Sequence, residues 1–65
     1  MKAEDLVVGG KYVYQEDPRH PDEKCEVRVQ QINTETKKVH FMDLDDFDWE
    51  EKFEDIPDVI IRKLN

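Results

Sequence analysis

Residues 43–55 read DLDDFDWEEKFED, eight carboxylates set around Leu44, Phe47, Trp49 and Phe53 with Lys52 as the single base. Two local structures compete for this stretch. As an α-helix it places Trp49, Phe53 and Ile56 on one stripe at i, i+4, i+7, behind a cap at Asp45 or Asp46. The same helix stacks like charges at Asp46/Glu50, Glu50/Glu54 and Glu51/Asp55, each costing a few tenths of a kcal/mol, against one favourable Asp48/Lys52 pair. As a strand, it puts Phe47, Trp49, Glu51 and Phe53 on one face and Asp46, Asp48, Glu50, Lys52 and Glu54 on the other. The strand is favoured over residues 45–54, because aromatic residues suit strands and alternation separates apolar from charged side chains. The helix stays open as the alternative.

Upstream, KYVY (11–14) sets Tyr12 and Tyr14 on one face of an extended strand, after a turn or bulge permitted by Gly9-Gly10. The segment 15–24, QEDPRHPDEK, holds two prolines and almost no apolar side chain, and reads as an exposed loop. CEVRVQQI (25–32) alternates through Cys25, Val27 and Val29, while Ile32 falls one place out of phase; a bulge near Gln30-Gln31 restores it to the core side. NTETKK (33–38) is turn-like, and KVHFMDL returns with Val39 and Phe41 on one face and His40, Met42 and Leu44 on the other, completing a hairpin. Downstream, Asp55-Ile56-Pro57-Asp58 reads as a short turn, one turn of 3₁₀-helix, before the last apolar run VIIRKL. The expected fold is all-β: five short strands with a 3₁₀ turn before the last, closed into a small barrel that protects its edges.

Sixty-five residues make a single domain, 1–65, with a small core. The net charge of −7 is unevenly spread: residues 41–58 hold nine of the seventeen acids and one of the ten bases. Such a field repels nucleic acid and anionic membrane and favours a cationic partner, the attraction weakening as salt rises. The lone Cys25 excludes an internal disulfide, the first residues lack the pattern of a secretion signal, and no run approaches the roughly 20 apolar residues that span a bilayer. A reducing, cytoplasmic setting is the expectation.

At this point the chain resembles the Tudor-like group of SH3-like barrels. VVGGKYVYQED resembles that family's opening, CEVRVQQINTETKKVHF its second and third strands about a polar turn, and WEEKFEDIPDVI the fourth strand and the turn into the fifth. The resemblance implies the five-stranded barrel. Many Tudor domains hold methylated lysine or arginine in a cage of rings that attracts the cation through their faces, and Tyr14 and Phe41 resemble two such walls by position. No aromatic residue stands near Glu23 and Lys24, so Trp49 or Phe47 completes a cage only if the loop folds back.

Other chemistries fit poorly. Asp46, Asp48 and Glu50 open like a calcium loop, but Glu51 stands where glycine is required and Pro57 where the closing acid belongs. His20, Cys25 and His40 are too scattered for zinc, and a chain this short offers little walled pocket in which to tune a catalytic pair. The expectation is a protein without metal, cofactor or enzymatic activity. It is an acidic domain in which Asp43, Asp45, Asp46, Asp48, Glu50, Glu51 and Glu54 engage the basic surface of a partner, foremost a nucleic-acid-binding protein, and modulate or inhibit it. Carboxylates on one strand face recur about every 6.8 Å, which admits nucleic-acid mimicry. The construction suits a bacterial or phage regulator. The alternative is a reader of cationic or methylated Lys/Arg peptides through Tyr14, Phe41 and Trp49.

Overall fold

A computed structural model describes residues 1–64. Five strands, β1 (Lys11–Gln15), β2 (Lys24–Asn33), β3 (Lys38–Asp43), β4 (Asp48–Lys52) and β5 (Ile60–Lys63), form one antiparallel sheet in the order β4-β3-β2-β1-β5. A 3₁₀ turn, Phe53–Asp55, and a single helical turn α1, Ile56–Val59, lead from β4 into β5.

The inward faces follow from strand alternation. Tyr12 and Tyr14 of β1, Val27 and Val29 of β2, and Val39 and Phe41 of β3 are all buried, joined by Leu6, Ile56, Val59 and Ile60. Burying each such side chain contributes about 1.5–3 kcal/mol. The β2–β3 ladder shifts register between Val29 and Gln31, and beyond this bulge Ile32 pairs with Val39 and packs against the core. The out-of-phase isoleucine therefore sits on the side its apolarity demands. Gly9 adopts a left-handed φ of 86°, and a Cβ on Gly10 would lie 2.9 Å from the Tyr12 ring, so both glycines are required by the turn that precedes β1.

Two expectations need correction. Residues 48–52 are strand, as favoured, but the flanks are not: residues 44–47 form a turn, and Phe53 opens the 3₁₀ turn. The expected closure into a barrel is also absent, because among the described residues β4 and β5 share no ladder and the sheet remains open. The reason lies in the connection. Two short edge strands are joined by the helical segment 53–59, whose Ile56 and Val59 enter the core and supply apolar cover where hydrogen bonds do not.

Candidate functional site

β4 is an edge strand, and its alternation divides its side chains. Asp48, Glu50 and Lys52 are exposed, whereas Trp49 and Glu51 are half-buried toward the core. Of the seven carboxylates read as a partner-binding set, Asp45, Asp46, Asp48, Glu50 and Glu54 are exposed. Asp48 Oδ2 lies 2.9 Å from His40 Nε2 on the neighbouring strand, and Glu50 stands opposite His40 in the ladder. Glu54 belongs to the 3₁₀ turn beyond the strand.

The remaining two have other duties. Asp43 ends β3, and its Oδ1 accepts from the backbone N–H groups of Asp45, at 2.9 Å, and Phe47, at 3.0 Å. Its own backbone N–H donates to the Phe47 carbonyl at 2.9 Å. Asp46 takes a left-handed φ of 63° at the tip, a conformation that aspartate tolerates better than most residues. The loop after Phe41 therefore folds back, held by the side chain of Asp43.

Glu51 faces the rings. Its Oε2 accepts from the Tyr14 hydroxyl and from Trp49 Nε1, the latter at 3.2 Å. The Tyr14 hydroxyl resists ionisation: burial comes first among the causes, followed by the hydrogen bond to Glu51 and the negative charge of that carboxylate. Tyr14 and Trp49 meet edge to face with centroids 5.1 Å apart, and Phe47 lies 6.0 Å from Trp49. These groups line a cleft of about 420 Å³ together with Glu16, Glu23 and Cys25. The Cys25 thiol is pushed up by partial desolvation and then by the nearby charge of Asp43.

The expected aromatic contact set is redistributed. Phe41 is wholly buried and cannot form the wall of a binding site, although its ring stacks obliquely on Tyr14 and Trp49 from beneath. Tyr14, read as a cage wall, is 8% exposed and reaches the cleft beside Glu51. Phe47, which strand alternation turned inward, is 66% exposed. Cys25, where the 25–32 alternation begins, is an exposed residue on the cleft wall. Sequence reasoning left Glu16 unremarked and named Glu23 only as a position without a neighbouring aromatic residue; their one signal was their position at the two ends of the 16–23 loop, beside the strands that carry Tyr14 and Cys25.

A wider depression of about 810 Å³, lined mainly by Leu6, Ile32, Phe53 and Pro57, lacks any pairing of ring with desolvated carboxylate. Among the described residues no three His, Cys, Asp or Glu side chains are grouped to hold a metal ion, and no helix is long and apolar enough to cross a membrane. Comparison with known proteins yields no match to a family model, to a curated protein or to a solved structure.

Proposed function

We propose that this chain is a non-enzymatic, Tudor-like or SH3-like binding domain that engages a basic surface of a partner protein through the end of the sheet formed by β4 and the turn before it. A nucleic-acid-binding protein is the partner class that best combines a dense cationic surface with a use for an acidic competitor. The observation that carries the reading is the concentration of exposed Asp45, Asp46, Asp48 and Glu50 on a single edge and its turn, with His40 as the one basic side chain paired to them among the described residues. Self-repulsion of this kind is unfavourable in the free domain and is relieved by a cationic partner. Of these four side chains only Asp48 has a side-chain partner within the fold, His40.

The test is retention of cytoplasmic proteins on the immobilised domain, eluted with a salt gradient. A variant carrying Asp46→Asn, Asp48→Asn and Glu50→Gln is expected to lose most of the captured basic proteins and to flatten the salt dependence of those that remain. Equal capture by the neutralised variant would refute the reading.

A further inference from the structure

We infer that the cleft between Tyr14, Phe47, Trp49 and Glu51 receives the unmethylated guanidinium of one arginine of the partner. This rests on the preceding reading and names the chemistry of a single anchor within that contact.

Glu51 is the starting point. A half-buried carboxylate has given up part of its hydration, and among the described residues no Lys, Arg or His lies within ion-pair distance to replace it. Both of its protein donors, the Tyr14 hydroxyl and Trp49 Nε1, converge on Oε2, leaving Oε1 for a donor from outside. Beside it stands the exposed Phe47 ring, held over the cleft by the Asp43 turn. Glu16 and Glu23 complete a wall that carries three carboxylates and no base.

A cation in this place must lie flat against a ring and donate to one carboxylate oxygen. Guanidinium does both: it is planar, stacks on aromatic faces and is weakly hydrated, whereas the compact ammonium of lysine holds its water more tightly. Methylation works against the fit. A methyl-cation cage needs several ring faces around one point, but Phe41 is wholly buried and Tyr14 nearly so. Asymmetric dimethylation would also remove two of the five N–H donors and widen one edge of the guanidinium that faces Glu51.

Trp49 is the only tryptophan of the chain, so its fluorescence and its indole N–H resonance report on the cleft directly. The full chain is titrated with Nα-acetyl-arginine amide, with the lysine counterpart and with the asymmetrically dimethylated arginine counterpart. A saturable change is expected with arginine, at several-fold lower concentration than with either of the others. Glu51→Gln, which keeps an acceptor for Tyr14 and Trp49, is expected to weaken arginine about tenfold. Phe47→Ala, a change at an exposed ring, is expected to weaken it with the melting temperature unchanged. The inference is overturned by a flat arginine titration, by lysine or dimethylarginine binding as well as arginine, or by undiminished binding to Glu51→Gln. It fails separately from the acidic-surface reading: a flat titration leaves the salt-sensitive capture of basic proteins standing. Conversely, capture that survives neutralisation of Asp46, Asp48 and Glu50 leaves the arginine titration standing.

Discussion

The two hairpin turns that flank β3 are built with one device and put it to different ends. At the β2–β3 turn, Asn33 Oδ1 accepts from the backbone N–H groups of Glu35, at 3.0 Å, and Thr36, at 3.1 Å. At the β3–β4 turn, Asp43 Oδ1 does the same for Asp45 and Phe47. Each turn also contains one left-handed non-glycine residue, Lys37 in the first and Asp46 in the second. The cargo differs. Thr34, Glu35 and Thr36 are polar and exposed, as surface turns usually are, whereas the second turn holds Leu44 at 75% and Phe47 at 66% exposure. The Phe47 ring of the second turn lines the cleft beside Trp49.

Removing the capping oxygens separates the two roles most strongly. Asp43→Ala is expected to cost about 2 kcal/mol, because a charged acceptor of two N–H groups is lost, and Asn33→Ala about 1 kcal/mol. For a domain of this size each kcal/mol lowers the melting temperature by roughly 4–8 °C. Asp43→Asn retains the acceptor and is expected to stay within about 0.5 kcal/mol of the parent. Only Asp43→Ala should alter the Trp49 emission, since only that turn carries a ring to the cleft. Thermal melts followed by circular dichroism, with fluorescence on the same samples, check both parts; an unchanged Trp49 signal in Asp43→Ala would break the comparison.

Alkali probes the cleft that Phe47 shares with Tyr14. In the folded chain Tyr14 ionises well above the ordinary phenol value of 10.0, chiefly through burial and then through Glu51. A raised pKa means that the neutral phenol is the form the fold prefers. Its stabilisation is therefore complete below the unfolded value and is lost as pH rises from there toward the folded one. Tyr14→Phe removes this dependence and the bond to Glu51, at a cost of about 1 kcal/mol at neutral pH. Urea denaturation at pH 7 and pH 11 is expected to show a steeper alkaline loss for the parent than for Tyr14→Phe; parallel losses would contradict the assignment.

The same comparison explains how much could be read from residues alone. Wherever one face of a strand is apolar, alternation determined burial. Tyr12, Val27, Val29, Val39 and Phe41 fall inside as their period requires, and the misfit of Ile32 announced the bulge. The strand character of β4 was legible for the same reason, with Trp49 and Glu51 sharing one face. Alternation ends where a strand ends, and nothing in the apolar pattern marks that point at Asp48. Phe47 was accordingly carried one step too far inward. Asp43 was read as charge because its capping role depends on the backbone folding back, which composition does not disclose. Closure of the sheet was equally beyond reach, since it depends on whether two short edges meet through hydrogen bonds or are bridged by the side chains of a helical segment.

The smallest effect probes strain at the two turns. Lys37 has φ of 58° and Asp46 of 63°, a region that costs an ordinary L-residue about 1 kcal/mol. Glycine removes that cost but adds about 0.5–1 kcal/mol of backbone entropy lost on folding. For Lys37 the first quantity slightly outweighs the second, and Lys37→Gly is expected to stabilise by up to about 0.5 kcal/mol, a midpoint shift of up to about 0.5 M urea at a slope near 1 kcal/mol/M. Aspartate tolerates the left-handed region through local hydrogen bonding, so Asp46→Gly has less strain to relieve and is expected to be neutral or slightly destabilising. The two substitutions therefore separate in sign although the backbone angles are nearly equal. A stabilising Asp46→Gly would place the larger strain at the β3–β4 turn, and Phe47 would then be held beside the cleft against the preference of the backbone at Asp46 rather than with it.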